Sequence, residues 1–388
     1  MGMKHVTVIG AIALAGGLAL AVPGGGARAA SDDGGPVGGA LLAGRGVVVA
    51  ENARRLPKTE ASAFVVADAD TGQVLAAKDP HGRYLPASTL KILTAVTLIP
   101  RLKKNRTVLP SAEACNQEGS AVGLTRHRIY TIEDLFRALM MVSGNDAAVA
   151  LAEANGGLAR TLADMNAEAR RLRATDTVAK TPNGLDKPGQ SSSAYDLALI
   201  ARAGLGHPDF RRYISTKVAE FPAPGGKHYQ IANHNRLLGR YPGMLGVKNG
   251  WTSKALGSFV GAARRDGHTI IVSIMHHEGG FWKEVEDLLD WGFAARGKVT
   301  PVGALVGPVP SVKPTRPVGG PPKAAPPAGR PVPPAEVADD SPVVGAGALV
   351  LAVALLGGAV WIVYGVRRRA RAGAASSPGG GPHQVDHD

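Results

Sequence analysis

Two side chains in RYLPASTLKILTAV, residues 83–96, have the types and spacing for covalent chemistry. Ser88 and Lys91 are three apart, so on a helix they share a face and their side chains meet. A serine hydroxyl is a weak nucleophile and needs a base to take its proton. A lysine serves as that base if burial and a helix N-terminus disfavour its ammonium. The plain alternative is a capping serine beside a lysine that reaches solvent, and so short a pattern does not separate the two. Two further polar clusters bear on the choice. Ser143-Gly144-Asn145 breaks a helical pattern, where side chains project into a cleft, and Lys248-Asn249-Gly250 opens the strand-rich final third.

The elements that must position these groups follow from hydrophobic periodicity. ASAFVVADADTGQVLAAKD alternates around Asp70-Thr71-Gly72 and predicts a β-hairpin. STLKILTAVTLI is helical with Ser88 at its start. YTIEDLFRALMMVSGNDAAVALAEA opens on Thr131 with Asp134 three residues on, a capping signal, and resumes as helix from Asp146. Further helical patterns cover 159–174 and 193–203. GSFVGAARRDGHTIIVSIMHH is two β-rich runs joined by Asp266-Gly267, the strongest short hairpin signal, and FWKEVEDLLDWGFAA is a final amphipathic helix. Strands, a mostly helical middle, then strands and a helix predict an α+β fold, an antiparallel sheet with a helical subdomain.

Both ends of the 388-residue chain differ from this middle. Residues 1–30 carry a basic residue, an apolar run from Val6 to Val22 and the small-residue stretch Ala27-Arg28-Ala29-Ala30, the pattern of a secretory signal peptide. Residues 31–59 read as a flexible exported segment and 60–297 as one folded domain. The proline-rich stretch 298–342 predicts an extended extracellular spacer. Val343 to Val366 is uncharged and exceeds a bilayer core in length as a helix; RRRAR follows at once, and 367–388 is a polar tail. The positive-inside rule puts the tail in the cytoplasm and everything before Val343 outside, a single-pass membrane protein with an extracellular domain.

The formal charge of +13 comes from scattered Lys and Arg, with no basic stripe interleaved with aromatics, so nucleic acid is excluded as a partner. The single cysteine, Cys115, forms no internal disulfide. Adjacent strand residues His276 and His277 point to opposite faces and cannot chelate one ion together, and no His-Glu-x-x-His or cysteine cluster exists, so neither metal nor cofactor is expected. Met140-Met141 reads as core packing, and His234-Asn235 as structural.

PASTLKI, MVSGNDAA, NGLDKPGQSSSAYDLALIA, NHNRLL and GVKNGWTS, in that order, resemble the penicillin-binding proteins and serine β-lactamases, and closely the D-alanyl-D-alanine carboxypeptidase branch. The resemblance spans about residues 60–295 and implies a β-lactamase/transpeptidase-like fold. It also implies removal of the terminal D-alanine from peptidoglycan stem pentapeptides, with β-lactam antibiotics as inhibitors. Carried onto matching positions, Ser88 is the nucleophile, Lys91 its base and Ser143 a proton relay to the departing D-alanine. Asn145, Lys248, Asn249, Gly250 and Thr252 bind substrate, and the backbone N–H groups of Ser88 and Trp251 form the oxyanion hole.

Asn249 stands where the family usually has threonine, and its amide can still donate to a carboxylate. Two rivals remain. A β-lactamase needs a glutamate for deacylation in a Glu-x-x-Leu-Asn setting, which is not found between Asn145 and Lys248. A catalytically weak relative that binds or scaffolds wall peptides draws support from Asn249 and the long spacer.

Overall fold

The computed structural model describes residues 36–50 and 52–310. The expected signal peptide, membrane helix and cytoplasmic tail, and the spacer beyond Pro310, lie outside the described residues. Among the described residues no helix is long and apolar enough to cross a membrane.

The chain builds β1 (Val47–Val49), β2 (Ala63–Asp68) and β3 (Gln73–Lys78), then enters a helical region. That region holds α1 (Lys91–Leu98), α2 (Ala112–Cys115), α3 (Ile132–Met141), α4 (Asn145–Ala154), α5 (Leu158–Arg171), α6 (Ala194–Leu205) and α7 (Pro208–Ser215). Two-residue strands β4 (Thr107–Val108) and β5 (Tyr130–Thr131) pair within it. A separate hairpin, β6 (Val218–Ala223) and β7 (Lys227–Ala232), leads to β8 (Met244–Thr252), β9 (Leu256–Arg265), β10 (His268–His277), α8 (Trp282–Ala295) and β11 (Gly303–Ala304).

The main sheet has seven strands in the order β1-β3-β2-β10-β9-β8, with β11 also on β3, and every pairing is antiparallel. All six residues of β2 are buried, because helices cover both faces of the sheet. Its alternation assigns Ala63, Val65 and Ala67 to the core under the helical region, and Phe64 and Val66 to the core under α8. β10 divides likewise, Ile271 and Met275 against Ile270, Val272 and Ile274. The hairpins expected at 63–78 and at Asp266-Gly267 form, and Met140 and Met141 lie in the core. Thr131 and Asp134 make a reciprocal capping box at the start of α3.

The packed body runs past both edges of the expected 60–297 domain. β1 pairs with β3 from the N-terminal side, and β11 does so from within the stretch read as spacer. Leu42, Val302 and Leu305 are buried there, so these segments are tied down by apolar anchors as well as by backbone pairing. Strands of two and three residues carry too little periodicity to be read from sequence.

Candidate active site

Ser88 sits in a 3₁₀ turn, Ala87–Leu90, that runs directly into α1 with Lys91 as its first residue. The turn is held from outside. Ser258 Oγ on β9 donates to Pro86 O at 3.0 Å, and Thr89 Oγ1 donates to the same carbonyl at 2.5 Å. A Cβ on Gly250 of β8 would lie 2.6 Å from Ser88 N, so only glycine lets that strand approach the nucleophile's amide so closely. Trp251 follows, with its indole exposed. Among the described residues β8 is an edge strand of the sheet, hydrogen-bonded to β9 alone.

Lys91 is completely buried, and three oxygens surround its Nζ: Ser88 Oγ at 2.9 Å, Asn145 Oδ1 at 2.7 Å and Asn183 O at 2.5 Å. Burial, joined by the positive charge of Lys248, holds its pKa well below the usual lysine range; the Asp146 carboxylate opposes this. Asn145, the first residue of α4, is fixed by its own amide, whose Nδ2 donates to Glu118 O at 2.6 Å. Next to it, Asp146 accepts backbone N–H bonds from Val122, Gly123 and Leu124, which folds the loop before β5 around the break between α3 and α4.

Ser143 occupies that break in the left-handed region, φ 63°, a costly conformation for a residue with a side chain. Its Oγ is buried without a hydrogen-bond partner. Lys248 on β8 is 1 % exposed, and its Nζ donates to Asn249 O at 2.7 Å; burial brings its pKa down to about 7. The field of Lys248, after burial, also depresses His234. The backbone N–H of His234 donates to Met141 O, tying the chain before β8 to the end of α3.

The Thr252 hydroxyl donates to Asp186 Oδ1 at 3.0 Å and accepts from Ala255 N at 2.9 Å, so it is already engaged in a turn. Asn183 lies within NGLDKPGQSSSAYDLALIA with no role of its own in the sequence pattern, yet its carbonyl is a direct partner of Lys91. The sequence carries a clue in Asn183-Gly184: a Cβ on Gly184, at φ +84°, would lie 1.9 Å from Ala87 O, so the loop presses on the nucleophile's turn.

The D-alanyl-D-alanine carboxypeptidase family matches residues 50–279, most of the described body. The chain belongs to this family. It is 42 % identical over 257 residues to the D-alanyl-D-alanine carboxypeptidase DacB2 of Mycobacterium tuberculosis, covering 64 % of this chain and 88 % of that one. Among solved structures it is similar to a D-alanyl-D-alanine carboxypeptidase of Mycobacterium tuberculosis, at TM-score 0.63 and 39 % identity over 68 % of this chain and all of that one. A DD-transpeptidase of Streptomyces matches at TM-score 0.58 and 25 % identity, over 62 % of this chain and all of that one. The fold is thus transpeptidase-like, as expected, and the chain is a serine carboxypeptidase of this family.

Proposed function

We propose that this carboxypeptidase is a membrane-anchored, exported enzyme that removes the terminal D-alanine from peptidoglycan stem pentapeptides through a Ser88 acyl-enzyme, and that penicillins acylate the same serine. The observation that carries this reading is the 2.9 Å approach of the fully buried Lys91 Nζ to the half-buried Ser88 Oγ. As an ammonium, Lys91 donates to all three surrounding oxygens. As a neutral amine it keeps two N–H bonds, to Asn145 Oδ1 and Asn183 O, and its lone pair faces Ser88, whose hydroxyl then donates.

From that state Ser88 Oγ bonds to the carbonyl carbon of the penultimate D-alanine as its proton passes to Lys91 Nζ. The backbone N–H groups of Ser88 and Trp251 hold the negative oxygen that develops. The C–N bond to the last D-alanine breaks, and its nitrogen takes the Lys91 proton by way of the Ser143 hydroxyl, which leaves Lys91 neutral again. Asn145 Nδ2 and the open edge of β8 hold the peptide, and the Lys248 ammonium attracts its terminal carboxylate. Water then attacks the ester carbonyl and passes a proton to Lys91, which hands it to Ser88 Oγ as the acyl C–O bond breaks. Export and anchoring rest on residues 1–30 and 343–366 as read from sequence.

The test is D-alanine release from a peptide ending in D-Ala-D-Ala, with Ser88→Ala beside the parent. Release by the parent alone supports the reading. A folded parent that forms a stable penicillin adduct and releases no D-alanine would move the wall-peptide binder ahead, and rapid penicillin hydrolysis would favour a β-lactamase.

A further inference from the structure

Lys248, Gly250 and Thr252 alternate along β8, so their side-chain positions share one face of the strand. That face looks onto the nucleophile's turn, because a Cβ on Gly250 would meet Ser88 N and Thr89 N. Lys248 stands at one end of the row. At the other end, the Thr252 hydroxyl accepts from Ala255 N and so turns its own proton to Asp186 Oδ1. Asp186 closes the stretch 183–186, which runs along the same turn: Asn183 O takes a hydrogen bond from Lys91 Nζ, and Gly184 is pressed against Ala87 O. The stretch passes from the buried base to the edge strand and ends on a half-buried carboxylate. Among the described residues Thr252 is the only group that bonds to this carboxylate, and no lysine or arginine pairs with it. Lys187 beside it and Lys254, two residues past Thr252, are both exposed. Partial burial strengthens the attraction of such a carboxylate for an incoming ammonium.

We propose that Asp186 selects substrates in which the residue before the D-Ala-D-Ala pair ends its side chain in an ammonium group. This rests on the function proposed above, which fixes how the peptide lies. With its terminal carboxylate at Lys248 Nζ and its reacting carbonyl at the Ser88 and Trp251 amides, the peptide runs antiparallel to β8. Whatever precedes the penultimate D-alanine then lies beyond Trp251, at Thr252 and Asp186. Lys248 Nζ reaches forward to Asn249 O, and from Asn249 to Thr252 is three residues, about 10 Å at about 3.4 Å each. Two residues of extended peptide cover about 7 Å of that, and a side chain as long as lysine's covers the rest. Thr252 becomes a positioning residue: its hydroxyl holds Oδ1 and leaves Oδ2 open to the incoming group. A carboxylate only accepts, and it bonds an ammonium roughly twice as strongly as a neutral donor while repelling another carboxylate.

Two peptides test this, one ending in L-Lys-D-Ala-D-Ala and the other identical except that the lysine amine is acetylated. They are offered to the full chain and to Asp186→Asn, which keeps an oxygen for the Thr252 hydroxyl. The parent should favour the free amine by about three- to tenfold in kcat/KM, mostly through KM. In Asp186→Asn that ratio should fall to about one, whatever happens to the absolute rates. Calorimetric binding of both peptides to Ser88→Ala, with and without Asp186→Asn, gives the same ratio as an affinity when nothing is released. Equal rates and affinities for the two peptides in the parent would overturn the proposal and leave the carboxypeptidase standing. A preference that survives Asp186→Asn would overturn it too, since another group would then read the amine. A preference lost in Asp186→Asn but seen only in binding, with no release, would support the assignment and count against the reaction proposed above.

Discussion

A lysine on α1 with three oxygens about its Nζ, and a second lysine nearby on β8, divide the site into a base and an anion trap. Lys91→Met removes the base while filling the same space, and should lower both D-alanine release and penicillin acylation by about 10²–10⁴-fold. Lys248 works only as an ammonium. Its pKa near 7 predicts that KM for a peptide with a free carboxylate climbs as pH rises above 7, with kcat less affected because the bound carboxylate holds the proton on. A pH series of initial rates between 6 and 9 checks this. The same group acts on stability. Its folded pKa lies below the unfolded 10.5, so between about 7 and 10.5 the unfolded chain binds more protons and stability rises with pH. Below 7 both states are charged and the full penalty of the buried ammonium remains. Lys248→Met should therefore be more stable than the parent at pH 6, by about 1–4 kcal/mol in urea unfolding, and that margin should shrink towards pH 10. The Asn249→Thr change restores a hydroxyl where the family usually has one. It should raise kcat/KM by about tenfold if the amide is a poorer donor to the carboxylate, and leave it unchanged if the two serve equally. At this scale the sequence was informative: Ser88, Lys91 and Asn145 meet at Lys91 Nζ, with Lys248 near enough to act on it, and all four were legible because their chemistry is in side chains. The Asn183 carbonyl was not legible, since every residue has one.

The elements matter here for what they hold in place. α3 is started by a capping box and ends two residues before the strained Ser143, so it sets where the break that holds this site residue begins. Thr131→Ala should cost about 0.5–2 kcal/mol in unfolding experiments without altering KM. Gly184 is the sharper case. Gly184→Ala puts a methyl against Ala87 O in a backbone conformation that alanine resists, and should lower stability by more than about 2 kcal/mol and slow acylation. Circular dichroism melts beside penicillin-labelling rates separate those two effects. Helices and hairpins with strong periodicity or an Asp-Gly turn were legible. The β6–β7 hairpin is not legible in the sequence, although Pro-Gly-Gly joins its strands. Most of β7 is exposed, so it lacks the one-sided apolar alternation that marks a half-buried strand.

For the molecule as a whole, the two ends of the described chain matter more than composition indicated. β1 and β11 lie along successive stretches of β3, on the side of the sheet opposite β8. A fragment ending at residue 297 would lose β11 with Val302 and Leu305, and should melt lower than one ending at 310. The proline content of 298–342 concealed this, because a few anchored residues leave almost no compositional trace.

The C-terminal stretch is fastened by separate bonds: Val309 N to Arg171 O, Val306 N to the Tyr195 hydroxyl, Leu305 N to Gly72 O, Ala304 N to Gly38 O and Val302 N to Val74 O. Tension applied at residue 310 meets these bonds in succession, so the stretch should peel at low force while β9 and β10 stay paired. The strand that yields first is at one border of the sheet and the strand that faces Ser88 is at the other. A pulled molecule would therefore lengthen by several residues before its nucleophile felt the load.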